Sequence, residues 1–141
     1  MKPRISVLTL GVIDLEQSLI FYRDGLGFPT EGIIGREFEH GAVAFFDLHN
    51  GLKLAIFAQD DLARDAGLIK HPISSTAMSI GHNVIHKNEV DEIMQHAKEA
   101  GATIIKEAQS TFYGGYAGYF TDPNGHLWEI VWNPQLIPLE G

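Results

Sequence analysis

The sequence predicts an α+β fold built from two pseudo-symmetric βαβββ modules. Three observations lead there. Residues 38–57, FEHGAVAFFDLHNGLKLAIF, lie over residues 112–131, FYGGYAGYFTDPNGHLWEIV, at a constant offset of 74 with six identities in twenty positions. Upstream, GVID (Gly11–Asp14) matches NVIH (Asn83–His86) in character at an offset of 72, so about two residues are inserted before the second helix. Within each copy, strand-rich and helix-patterned stretches follow in the same order. Two copies are too few for a solenoid. A single domain over residues 1–141 is expected, with module one at about 1–58, a link at about 59–75 and module two at about 76–134.

Each element has a local reason. ISVLTLGVI (5–13) is rich in Val, Ile, Leu and Thr, which suits a strand. Asp14 with Gln17 three residues on resembles a capping box, and Leu15, Leu19 and Tyr22 then share a helix face, with Gly25 as a stop. Two or three strands follow Phe28, and Asn50-Gly51 marks a hairpin turn. QDDLARDAGLI (59–69) reads as a short linking helix and HPISST (71–76) as a loop. The second copy repeats the plan: a strand near 77–85, Asn88 as cap, and a helix burying Val90, Ile93, Met94 and Ala97. Gly101 ends that helix, and strands are expected near 102–107, 115–121 and 126–132. The tail QLIPLEG (135–141) is expected to be peripheral.

Composition narrows the function classes. Apolar residues make up 45% and charged residues 20%, a soluble globular balance. No apolar run has the length needed to cross a bilayer. MKPRISVLTLGV reads as a strand and not as a signal peptide, which makes the cytoplasm the default location. The absence of cysteine removes disulfides, thiolate metal sites and cysteine nucleophiles. A net charge of −8, with ten scattered basic residues, argues against a nucleic-acid partner.

Near the end of the chain, TDPNGHLWEIVW (Thr121–Trp132) sets a tight turn before an apolar strand that carries one acid, Glu129. With DLEQSLIFYRDGLGF (Asp14–Phe28), this DPNGHLWE segment (Asp122–Glu129) resembles the vicinal oxygen chelate superfamily, which includes glyoxalase I, bleomycin-resistance proteins, fosfomycin-resistance enzymes and extradiol dioxygenases. The resemblance covers about residues 5–133. It implies that the modules' strands curl into a cup-shaped mixed sheet with helices outside, that a small molecule is bound there, and that the chain forms a homodimer. It also implies a divalent metal, held by residues of the first and last strand of each module.

Carried over residue by residue, the four implied ligand positions are Val7, Ala55, Ser79 and Glu129. Val and Ala offer no lone pair, a neutral serine hydroxyl is a poor ligand, and one carboxylate is not a site. No catalytic metal is therefore expected, with a divalent metal kept as the alternative. Among the histidines, period-two alternation turns His82 away from position 79, toward the helix layer, packed with a satisfied ring. His49, His71, His86, His96 and His126 read as solvated, and His40, near a strand start, has no evident role.

A lone carboxylate in an apolar strand must be paired, solvated or protonated. It is either a polar relic or a group that meets a ligand, and withdrawn from water it suits a general acid or base. Alternation places Tyr119 and Ala117 on its face, and Ser79, Asn83 and, from module one, Thr9 share the expected cup face. The glycine- and aromatic-rich stretch Gln109–Tyr119 offers Tyr113 and Tyr116 as walls, unless they are rim or core packing. Trp128 and Trp132 belong beneath the helices.

Four readings follow. The first is a metal-free protein binding a small aromatic or oxygen-rich molecule through Thr9, Ser79, Asn83, Tyr113, Tyr116, Tyr119 and Glu129. The second is a metal-dependent glyoxalase-like or dioxygenase-like enzyme. The third is a metal-free enzyme with Glu129 and Tyr119 as an acid–base pair, and the fourth an interaction module.

Overall fold

Both copies of the repeat fold as βαβββ in the computed structural model, which describes residues 1–139. Glu140 and Gly141, the end of the tail expected to be peripheral, lie outside the described residues. The chain divides into two compact units, Met1–Pro72 and Ile73–Gly141, each with its own four-stranded mixed sheet and core.

The first unit runs β1 (Val7–Val12), α1 (Leu15–Ile20), β2 (Thr30–Ile34), β3 (Val43–Asp47), β4 (Lys53–Ala58) and α2 (Gln59–Ala66), with sheet order β1-β4-β3-β2. The Asp14 carboxylate accepts the Gln17 amide at 3.1 Å, so the capping role read from the sequence is met. After Ile20 the helix widens into a π-helical turn over Phe21–Gly25. That turn carries Phe21 and Tyr22 into the core, where Tyr22 packs against Phe28 and Phe46. The β3–β4 connection places Asn50 and Gly51 at φ 60° and 80°, the left-handed pair that Asn-Gly adopts most readily. The linking helix α2 stops at Gly67, which is also left-handed.

The second unit runs β5 (Ser79–Asn83), α3 (Asn88–Ala100), β6 (Thr103–Ser110), β7 (Tyr116–Thr121) and β8 (Leu127–Trp132), in the order β5-β8-β7-β6. Its first and last strands pair in parallel from Ser79–Leu127 onward, as β1 and β4 do from Val7–Lys53 onward, so the offsets of 72 and 74 are kept in the backbone pairing. Val90, Met94 and Ala97 of α3 are buried against this sheet, and Phe120 stacks on Trp128 at 6.2 Å beneath it. Asn88 is not the helix cap. It is the first helical residue and donates to Glu92; the Glu89 carboxylate accepts the His86 amide, and the Glu89 and Val90 amides donate to the His86 and Lys87 carbonyls.

The Asp-Pro-Asn-Gly turn is held by its own first residue. Asp122 is 3% exposed, and its carboxylate accepts the amides of Asn124 and His126, each at 2.9 Å. Gly125 sits at φ 97°, where any side chain would be strained. This turn fixes how β8 leaves β7, and hence which face of β8 receives Glu129.

Candidate functional site

One face of the second sheet is covered by α3; among the described residues no helix of this unit lies on the other, its open face. Antiparallel pairing puts Tyr119 directly opposite Glu129, and Ala117 opposite Val131, on the open face. Parallel pairing brings Ser79, Gly81 and Asn83 of β5 to the same face, with Gly81 opposite Glu129. Around Glu129 and Tyr119 the open face forms a recess of about 250 Å³, whose wall is completed by Tyr113 and Phe112 from the β6–β7 loop and by Lys106 from β6.

At the floor, the Tyr119 hydroxyl donates to Glu129 Oε2 at 3.0 Å, and both side chains are half-buried. Burial is the main cause that raises the Tyr119 pKa above its ordinary value, and the bond to Glu129 adds to it. The phenol therefore stays protonated at neutral pH and serves as a donor. The other carboxylate oxygen, Oε1, lies on the Gly81 side, where even an added Cβ would stand 3.9 Å away. Glycine at 81 leaves that oxygen approachable.

The loop above is anchored at its base. Thr111 Oγ1 accepts the Gly115 amide at 2.9 Å, and a Cβ on Gly115 would meet the Trp132 carbonyl at 2.5 Å. Glycine is required there by the close approach of β8, whatever the loop does. Phe112 projects fully into solvent and meets Tyr113 edge to face at 5.2 Å.

The structure thus brings together Glu129, Tyr119 and Tyr113 of the expected residues. Ser79 shares the open face, and Asn83 donates its side-chain amide to the Leu136 carbonyl of the tail at 3.4 Å. Thr9 lies on the open face of the first unit's sheet, opposite Ala55. Tyr116 is on the opposite face from Glu129: its hydroxyl donates to Asp91 of α3 at 2.8 Å, and Lys87 lies 5.0 Å from its ring. His82 faces away from Glu129 as alternation requires, but it is exposed on the edge strand β5, while α3 packs on β6, β7 and β8. His40 ties the β2–β3 loop to α2, with Nδ1 2.8 Å from the Asp61 carboxylate.

Lys106 and Phe112 were not legible as site residues. Register shifts on either side of Lys106 break the period-two rule in β6, so alternation cannot assign its face. Phe112 carried a signal, its identity with Phe38 across the repeat, but an exposed loop position gives that match no structural meaning.

The metal that the resemblance implies fails a test on donor chemistry. Val7 and Ala55 of the first unit carry only hydrocarbon, and Ala55 is 1% exposed. In the second unit the candidates are the Ser79 hydroxyl and Glu129, whose Oε2 already accepts from Tyr119. Among the described residues no three His, Asp or Glu are grouped as ligands of one ion. These positions do not fit a chelated divalent cation.

Comparison with known proteins gives a consistent family. A family model described as Glyoxalase/Bleomycin resistance protein/Dioxygenase superfamily matches residues 4–130. The metallothiol transferase FosB of Lysinibacillus sphaericus is 28% identical over 128 residues, covering 89% of this chain and 79% of that protein. A glyoxalase-related enzyme from Fulvimarina pelagi superposes with a TM-score of 0.79 at 34% identity, covering 94% of this chain and 89% of the other. The fosfomycin resistance protein FosX of Listeria monocytogenes shares the fold, with a TM-score of 0.69 at 24% identity over 94% of this chain and 95% of that one.

Proposed function

Because the chain belongs to the Glyoxalase/Bleomycin resistance protein/Dioxygenase superfamily, we propose that it binds a small aromatic or oxygen-rich molecule in the recess over Glu129, without a resident metal. The observation that carries this reading is the Tyr119–Glu129 pair, 3.0 Å apart at the floor of a recess walled by Tyr113 and Phe112. Aromatic rings supply flat apolar contact, and a carboxylate oriented by a phenol supplies a fixed acceptor, the usual division of labour in small-ligand pockets. In the cell this would be a cytoplasmic homodimer, and light scattering on the purified chain checks the stoichiometry.

Two measurements on the purified chain test the function. Metal content and divalent-metal affinity should both be negligible, in the unaltered chain and in Glu129→Gln alike. Affinity for phenols and aromatic amines, which can donate to Glu129, should be unchanged by EDTA and weakened by the same substitution. Near-stoichiometric metal that disappears in Glu129→Gln would overturn the metal-free reading.

A second reading has its own support: a curated relative is named a metallothiol transferase. On that reading the chain would be a metal-dependent enzyme whose remaining ligands are not those at the implied positions. Activity abolished by EDTA and restored by a divalent ion would favour it. A third reading gives the Tyr119–Glu129 pair acid–base work on a bound substrate, and turnover lost in Glu129→Gln with binding retained would support that one.

A further inference from the structure

The recess on the second sheet is lined by one cation and one anion among the described residues, Lys106 and Glu129. Neither enters an ion pair, with the other or with a third residue, among the described residues. Their spacing is set by the sheet. Lys106 of β6 stands opposite Tyr119 of β7, and Tyr119 stands opposite Glu129 of β8. The two charges are therefore two strand spacings apart at the backbone, about 10 Å, with the Tyr119 ring between them.

We propose that the ligand of this recess is a flat, single-ring aromatic zwitterion, its acid group turned to Lys106 and its ammonium or other strong proton donor turned to Glu129. The inference rests on the binding function proposed above and narrows its ligand class. Three features converge on it. A volume of about 250 Å³ suits a ligand of one ring. The Tyr119 ring, on the strand between the two charges, and the Tyr113 ring in the same recess offer apolar surface. With a net charge of −8 the protein as a whole repels a purely anionic ligand, and a zwitterion escapes that penalty while still using Lys106 locally. Tyr119 acts as a positioning residue here, because its hydroxyl is spent on Oε2 and leaves Oε1 for the ligand's donor.

Calorimetry on the full chain in EDTA tests this with three probes: 4-(aminomethyl)benzoate, 4-methylbenzoate, which lacks the ammonium, and 4-methylbenzylamine, which lacks the carboxylate. The zwitterion should bind about tenfold more tightly than either truncated probe. Lys106→Gln should erase its advantage over 4-methylbenzylamine, and Glu129→Gln its advantage over 4-methylbenzoate. Equal binding of the three probes within about twofold, or no saturable binding of any, overturns the inference. So does an advantage that survives both substitutions. The probe comparison uses the unaltered chain, so a poorly folded variant cannot mask the result. The broader binding function falls on a different result, a wider panel of aromatic acids and phenols in which nothing binds without metal.

Discussion

Replacing Tyr119 by Phe removes one hydroxyl and leaves the ring. The lost interaction is a phenol donating at 3.0 Å to the half-buried Glu129 carboxylate. Hydrogen bonds to charged groups contribute about 1.5–3 kcal/mol net, and partial exposure to water brings this pair toward about 1 kcal/mol. A double-mutant cycle of Tyr119→Phe and Glu129→Gln should return a coupling of about 1 kcal/mol in urea unfolding. The single change should lower Tm by about 3–5 °C for a chain of this size. Alkaline pH supplies a sign test. Burial, and then the bond to Glu129, hold the folded phenol's pKa above its ordinary value, so the folded state retains a proton that the unfolded state loses. The advantage of Tyr119 over Phe is fully present below about pH 10 and shrinks as pH rises through the raised value. A coupling below about 0.3 kcal/mol, or an advantage that grows with pH, would refute the reasoning.

Three further outcomes follow from the framework that holds this pair. Asp122→Ala strands two backbone amides in a part-buried turn and should cost about 1–3 kcal/mol by urea unfolding, with amide exchange rising at Asn124 and His126. Gly115→Ala drives a Cβ toward the Trp132 carbonyl and the Tyr113 ring, and should destabilise by about 1–3 kcal/mol while weakening any binding that needs Tyr113. Asp14→Ala removes the cap of α1 and should cost about 1 kcal/mol in thermal unfolding, leaving ligand affinity unchanged.

The fold was legible because its determinants are local or periodic. Asp14, Gly101 and Asn50-Gly51 act within a few residues of themselves, and strand alternation assigned Ser79, Asn83, Ala117 and Tyr119 to the face of Glu129. What escaped depends on breaks in period or on neighbours distant in sequence. The π-helical turn at Phe21–Gly25 and the bulges around Lys106 each shift the phase of a pattern. Tyr116 was offered as a wall of the site from a loop composition that carries no phase; β7 begins at that residue and turns it toward α3. For His82 the face was right and the burial was not, since a single strand does not reveal whether a helix lies over it.

The two copies of the repeat agree on their packed faces and differ on their open ones. Of the six identities between residues 38–57 and 112–131, Phe46/Phe120 and Ile56/Ile130 are buried pairs on the helix-facing side of each sheet. Phe38/Phe112, Gly41/Gly115 and the Asn-Gly pair lie in loops and turns. None falls on the open faces. There Val43 corresponds to Ala117, Phe45 to Tyr119 and Ala55 to Glu129. The packed faces agree because both copies must solve the same helix-on-sheet problem, in which a volume change of one methylene is felt. The open faces are free of that constraint, and in the second a hydroxyl and a carboxylate that bond to each other stand where the first carries Phe45 and Ala55. A carboxylate kept only as a relic can hold this same bond to Tyr119, so the bond stabilises the fold in either case. Ligand affinity separates a relic from a site, because only at a site do Tyr119→Phe and Glu129→Gln weaken binding as well as folding.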